Sequence, residues 1–380
     1  MEEEKNVNEE TAVSEERAAP DEVKEETVIP EESAPKKKMG KVKKALLIVL
    51  IVILSLAVLL VGTYFVLRAI GKSHFHPAVM NIDNIKDIDN VVGYDEGKTI
   101  KYDGKTYVYN EDVIFVAFMG VDKETLDPVE GLDHSAGQSD TNMLIAVNTE
   151  TGKVSLIVIP RDSMTDVNVL SAEGKRIGIS EMQLCLAYAY GNGRDTSCEN
   201  VLESMERLLY GIEIDNYYSL DLAGISALND AVGGVEVKGL ETVSGVCKEG
   251  ENVTLWGKSA QAYVQRRNTD VFNSDSLRRK RQIQYAKAFA AKAFSLIKSD
   301  FTKVTDIYGI ADDYSCTNFD ITRVTYLASV LVDKYSSFSI KDEDIYVLPG
   351  EATMPGKFLE VRLDRTAVFE TILKVFYTEQ

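Results

Sequence analysis

The sequence predicts an α/β protein: an α/β/α sandwich with a mixed central sheet, preceded by one transmembrane helix and a disordered acidic cytoplasmic tail. Three observations lead there. A stretch near the N-terminus, "ALLIVLIVILSLAVLLVGTYFVL", holds no charge; short β-branched runs alternate with helical patterns through the rest of the chain; and apolar runs such as "VIFVAFMGV" are continuous, as in strands buried on both faces.

The first 35 residues carry 13 acids and three bases, a composition that cannot bury enough apolar surface to offset its ordering entropy. Six lysines between Lys36 and Lys44 follow and close a cytoplasmic tail of residues 1–44. At about 1.5 Å per residue, the uncharged run Ala45–Leu67 can cross a hydrocarbon core of about 30 Å, so residues 45–68 read as a single-pass anchor helix. The apolar part of a signal peptide is shorter, about 7 to 15 residues. Those six lysines outnumber Arg68 and Lys72 beyond the run, and the positive-inside rule then places everything after it outside the cell membrane. The chain carries a net charge of −18 and the exported part stays acidic, which argues against nucleic acid as a partner.

Residues 69–108 are expected to form an extracellular stalk and a leading hairpin that turns at Asp103 and Gly104. Residues 109–380 then form the main domain. Its first strand starts at Val113 and is followed by a hairpin, "SDTNMLIAVNTETGKVSLIVIPRD". "SEMQLCLAYAYG" and "SCENVLESMERLLYG" read as two helices, the second capped by Ser197 and ended by Gly211. "YYSLDLAGISALNDAVGGVEV" reads as strand, helix, Gly-Gly turn and strand. One helix starts near Ser259, a long one runs from Ser276 to Lys298, and "TRVTYLASVLVDKY" and "DIYVLPG" supply a further helix and strand. Cys185 and Cys198 flank the turn between the first two helices, so a disulfide is expected between them, and Cys247 and Cys316 are left for each other. The three histidines assemble neither a Ser-His-Asp triad nor a zinc site.

The chemistry gathers at strand ends. If Asn148 faces Lys153 across the hairpin loop, counting outward sets Asp140 opposite Arg161, and Asp122 ends the preceding strand on the same rim. A second cluster breaks the acidic background: Lys258, Arg266, Arg267, Arg278, Arg279, Lys280 and Arg281, with only Asp270 and Asp275 among them. At about 100° per residue, Arg278 shares a helix face with Gln282, Tyr285 and Phe289, so it points inward from the first turn of its helix, where free N–H groups favour an anion. Two carboxylates beside an anion site make sense with a magnesium ion between them and phosphate oxygens. The pattern therefore points to a membrane-tethered site for a phosphorylated ligand outside the cell.

The segments "FMGVD", "SDTNMLIAV", "VSLIVIPRD", "AYAYG", "YGIEIDNYYSLDLAGISALNDAVGGVEV", "AYVQRR" and "DSLRRKRQ" resemble, in order, the motifs of the LytR-CpsA-Psr family of bacterial cell-envelope phosphotransferases. The resemblance implies an apolar pocket for a polyprenyl chain. It also implies transfer of a teichoic acid or capsular polysaccharide from a polyprenyl pyrophosphate carrier to peptidoglycan, in cell wall biogenesis of the Gram-positive type. It implies magnesium on Asp122 and Asp140, a catalytic set of Arg161, Arg267, Asp275, Arg278 and Gln282, and substrate contacts from Arg266 and Arg281. A lipid pyrophosphatase differs only in its acceptor, water. Gln138, Gln183 and Gln265 stand where the family commonly carries basic residues, which opens an alternative: a non-catalytic polyprenyl-phosphate-binding regulator or scaffold.

Overall fold

In the computed structural model, residues 41–73, 75, 79–129, 135–171, 173–267 and 274–380 are described; the acidic tail lies outside them. Two units divide the chain, residues 1–58 and 59–380. In the first, the described part is helical, the beginning of α1 (Lys41–Ser73). Among the described residues no helix is long and apolar enough to cross a membrane. The side chains of Ala45, Leu46, Leu47, Ile48, Ile53, Leu56, Ala57 and Leu60, all in the uncharged run, are outside that description.

The second unit begins with the end of α1 and three short strands, β1 (Val91–Tyr94), β2 (Thr99–Tyr102) and β3 (Lys105–Tyr109). The β2–β3 turn is made by Asp103 and Gly104, both at positive φ, as an Asp-Gly hairpin requires. The stretch expected to be a stalk is part of the fold, since Met80, Ile85, Ile88 and Ile100 are buried in the main core. β4 (Val113–Val121), β5 (Ser139–Asn148) and β6 (Val154–Ile159) follow as antiparallel neighbours. β7 (Met164–Leu170) and β8 (Arg176–Gln183) make a hairpin, and Leu184–Tyr190 is a 3₁₀ turn before α2 (Asp195–Leu208). The first of the two expected helices is thus a strand end plus a 3₁₀ turn: "SEMQ" pairs with β7, and seven residues of 3₁₀ bury Leu184, Ala187 and Tyr188. Nor does Ser197 cap α2, because its hydroxyl is spent on the Tyr188 carbonyl, at 2.7 Å, and the Gly193 N–H.

Next come β9 (Tyr217–Leu220), α3 (Leu222–Ala231), β10 (Val235–Lys238), β11 (Asn252–Leu255), α4 (Lys258–Gln265) and α5 (Ser274–Ser299). The chain closes with α6 (Lys303–Asp313), β12 (Ser315–Thr317), α7 (Ile321–Lys334), β13 (Ile345–Val347), β14 (Gly350–Thr353), β15 (Glu360–Leu363), α8 (Arg365–Phe376) and β16 (Tyr377–Glu379). Aspartates start three helices: the carboxylates of Asp221, Asp320 and Asp364 accept N–H groups in the first turns of α3, α7 and α8.

Six strands form the central sheet, in the order β12-β9-β4-β5-β6-β13, with β9–β4 and β6–β13 parallel and the other pairs antiparallel. Strand alternation sends Phe115, Ala117, Met119, Leu144 and Ile157 to one face, under α2 and α8. Ile114, Val147, Val154 and Leu156 face the other way, toward Phe294 of α5 and Tyr326 and Val330 of α7. The sheet is mixed and covered on both faces, which is why β4 reads as an unbroken apolar run. A second sheet, β1-β2-β3-β16, joins the start of the domain to its last strand.

Candidate active site

The β5–β6 pairing runs Val147↔Val154 through Asn142↔Ile159, the register counted from the turn, and the next positions outward carry Asp140 and Arg161. Arg161 Nη1 is ion-paired with Asp140 Oδ1, and Arg278, from the first turns of α5, donates through Nη1 to the other oxygen of Asp140 at 2.9 Å. Elements 138 residues apart thus meet on one carboxylate. Arg278 points inward as its helical phase requires: its side chain is 8% exposed, and Tyr285 and Phe289 stack behind it at 6.2 Å. Arg161 Nη2 also donates to Gln138 Oε1, at 2.6 Å, and to Cys185 Sγ, at 3.2 Å, while its Nε lies 3.4 Å from Asp162.

Asp122 and Asp140 flank Gln138. Their N–H groups donate to its carbonyl at 3.0 and 3.1 Å, and Asp122 Oδ1 accepts the Gln138 N–H at 2.6 Å. Gly137 makes that approach possible: its φ is +94°, and a Cβ there would lie 2.8 Å from Asp122 Oδ1. A small cleft opens between these elements, lined by Asp140, Thr141, Asn142, Arg161, Arg278, Arg279 and Gln282, with Val158 and Ile159 as its floor. Three guanidinium groups against one carboxylate give this lining a net positive charge, suited to an anion.

Among the described residues no three acidic, histidine or cysteine side chains gather closely enough to hold a metal by themselves. Magnesium needs less: one or two carboxylates, with substrate phosphates and water filling the rest. Asn142 is 1% exposed and its Oδ1 has no hydrogen-bond partner among the described residues, which leaves a hard oxygen on one of the residues that line the same cleft as Asp140. Asp122, Asp140 and Asn142 supply the oxygen donors that magnesium takes, and both oxygens of Asp140 are held here by Arg161 and Arg278.

The other expected residues divide. Gln282 lines the cleft and its Nε2 donates to the Val264 carbonyl at 3.3 Å. Arg267 follows α4 and is exposed. Asp275 lies in α5, with its side chain outside the described residues. Arg281 is a correction: its guanidinium is 1% exposed and serves Glu241 and the Arg266 carbonyl, so it offers no surface to a substrate. Arg266 donates to the Ser244 carbonyl at 2.5 Å.

All four cysteines are buried thiols, so neither the Cys185–Cys198 nor the Cys247–Cys316 bridge is formed. The 3₁₀ turn aims Cys185 at Arg161, where burial pushes its thiol up to about 11 against the pull of that guanidinium. Cys198, on α2, instead has Cys316 of β12 as its neighbour, and that proximity raises the Cys198 pKa and lowers that of Cys316 to about 7. Three contributors to the site are not singled out by sequence pattern. Gln138 stands out only for lacking charge, Asn142 is one polar residue among four in "SDTN", and nothing local marks Cys185 as a neighbour of Arg161.

A model of the LytR_cpsA_psr family matches residues 84–361. The polyisoprenyl-teichoic acid–peptidoglycan teichoic acid transferase TagU of Bacillus licheniformis is 26% identical over 280 residues, which cover 73% of this chain and 79% of its own. Among solved structures, TagV of Bacillus subtilis aligns with a TM-score of 0.52 at 22% identity, over 70% of this chain and 96% of its own. TagT bound to LI-WTA aligns with a TM-score of 0.50 at 20% identity, over 70% and 89%. At those identities the two structures speak for the fold.

Proposed function

The chain belongs to the LytR-CpsA-Psr family, and from that premise we propose that it transfers a glycopolymer, of teichoic acid or capsular type, from a polyprenyl pyrophosphate carrier to peptidoglycan outside the cell membrane. One observation carries the reading: Arg161 and Arg278, from distant elements, converge on Asp140 in a positively charged cleft at the strand ends. The transferase names of the curated relatives support it.

On this mechanism an acceptor hydroxyl attacks the phosphorus that bears the polymer. The bond to the bridging oxygen breaks, polyprenyl monophosphate leaves, and the hydroxyl proton passes to solvent or a nearby base. Charge grows on the phosphoryl and leaving oxygens, and fixed guanidinium donors stabilise it most where they need not reorganise. Gln138 and Asp140 hold Arg161 in place for this, and Asp140 does the same for Arg278. Asp122, Asp140 and Asn142 would hold magnesium, which when bound neutralises charge on phosphate oxygens. The lipid chain is assigned to half-buried apolar residues between β4 and the helices beside it, Phe118, Ile225, Phe289, Ile307 and Ile310. Ala45–Leu67 is proposed as the membrane anchor, with the acidic tail in the cytoplasm.

The test is mass spectrometry of lipid co-extracted with the full-length protein, followed by incubation with polyprenyl-pyrophosphate-linked polymer, peptidoglycan and magnesium. Polymer joined to peptidoglycan with release of polyprenyl phosphate is the expected result. Release of polymer to water alone would make the protein a pyrophosphatase, and lipid retention without turnover would make it the binding protein. With neither lipid retained nor polymer moved, the proposal fails.

A further inference from the structure

Arg281 lies three residues beyond Arg278 on α5 and does not reach the cleft. Its Nε donates to Glu241 at 2.9 Å, its Nη2 donates to the main-chain carbonyl of Arg266, and its guanidinium sits 5.5 Å from the centre of the Tyr263 ring. Nη1 has no hydrogen-bond partner among the described residues, although the side chain is 1% exposed. As a means of packing two helices together this is costly, since an apolar side chain of similar volume would fill the space without burying an unanswered N–H. What the arginine adds is a grip on one carbonyl.

That carbonyl matters because of its neighbour in the chain. The oxygen of Arg266 and the N–H of Arg267 belong to one planar peptide unit, so holding the oxygen sets the direction in which Arg267 leaves α4. Gln282, next to Arg281, holds the Val264 carbonyl at 3.3 Å, and Arg266 itself reaches the Ser244 carbonyl at 2.5 Å. Consecutive side chains of α5 thus pin the main chain on both sides of Gln265, just before Arg267. We propose that Arg281 is a positioning residue: by holding the Arg266 carbonyl it orients Arg267 for a pyrophosphate-bearing lipid, without touching that lipid itself. This rests on the function proposed above and on the role at the pyrophosphate that the family resemblance implies for Arg267.

A double-mutant cycle on the full-length protein tests it, with a short-chain polyprenyl pyrophosphate as the probe and magnesium present. Arg281→Met is expected to weaken binding by about 10-fold or more, as misplacement of a remote group can. Arg281→Lys should recover little of this, because one ammonium cannot serve the carbonyl and Glu241 as a planar fork does. In an Arg267→Ala background, Arg281→Met should change affinity by less than about twofold, since its effect runs through Arg267. Equal losses in both backgrounds would overturn the proposal. Hydrogen exchange supplies an arm that needs no ligand. The Arg266 amide, which donates to the Ala262 carbonyl at 3.0 Å, should exchange faster in Arg281→Met while the central strands keep their protection. Unchanged exchange would sink the positioning role even where the wild type binds the probe. Faster exchange with no probe binding by the wild type would leave Arg281 holding the main chain and remove the lipid function. If Arg281→Met does not fold, Arg281→Leu, which also removes every donor to the carbonyl, takes its place in the same cycle.

Discussion

Gln138 organises the site through three of its groups: its carbonyl receives the N–H of both Asp122 and Asp140, its N–H binds Asp122, and its side chain binds Arg161. A neutral residue where a base was expected therefore acts as an orienting acceptor, and Arg161 is held from two sides. Arg161→Ala is expected to leave the fold intact and lower turnover by about 10² or more, comparable with the loss of one preorganised transition-state donor. Steady-state transfer alongside circular dichroism checks both halves. A second residue carries a pH signature. Burial raises the Asp221 carboxyl from its ordinary 3.8 to about 6, against the pull of the Gly224 N–H and with a push from Glu124. The native state then keeps a proton that the unfolded chain has already lost, so this group's contribution to stability falls as pH rises from about 4 to about 6 and stays lower above. Asp221→Asn, which can still cap α3, should flatten that part of the profile. Denaturant unfolding at several pH values would show it as a gain over wild type that grows up to about pH 6.

Among the elements, those with clean periodicity are legible in the sequence. β4, the β5–β6 hairpin, α3 with its Gly-Gly turn, α5 and α7 follow from period 2 or 3.6 and from turn residues, and counting along the hairpin is enough to set Asp140 beside Arg161. β8 with its 3₁₀ turn is not legible, because "SEMQLCLAYAY" has helical composition and only its partner β7 makes the first part a strand. The end of α1 shows the same dependence on a neighbour. A Cβ on Gly71 would lie 2.2 Å from the Thr322 carbonyl, so α1 meets the start of α7 backbone to backbone, secured by Arg68–Asp333 at 2.6 Å and Tyr64 against Phe301. Gly71→Val should push the two helices apart, seen as faster hydrogen exchange at the amides of residues 64–73 with the central sheet unchanged.

For the whole molecule, the last 16 residues matter more than their position suggests. The family match stops at residue 361, yet α8 buries Val368, Phe369, Ile372 and Phe376 on one face of the sheet, and β16 pairs with β3. Losing side chains of this kind costs about 2–5 kcal/mol each, against a total stability of about 5–15 kcal/mol. Removal of residues 365–380 is therefore expected to abolish cooperative folding, checked by the loss of near-UV circular dichroism and of a single thermal transition. A truncated protein that melts like the full chain would contradict this role for α8 and β16.

By itself the sequence determined whatever depends on spacing along the chain: the alternation of strands and helices, the rim on which Asp122, Asp140 and Arg161 gather, and the inward face of α5 that carries Arg278. Periodicity and turn chemistry are local, so they are legible in the unfolded chain. Only the tertiary structure decided which distant groups meet. It placed Cys198 beside Cys316 and Cys185 beside Arg161, turned Arg281 from the cleft to the Arg266 carbonyl, and joined the C-terminal strand to the leading hairpin. Those contacts depend on how whole elements pack, and spacing along the chain carries no record of it.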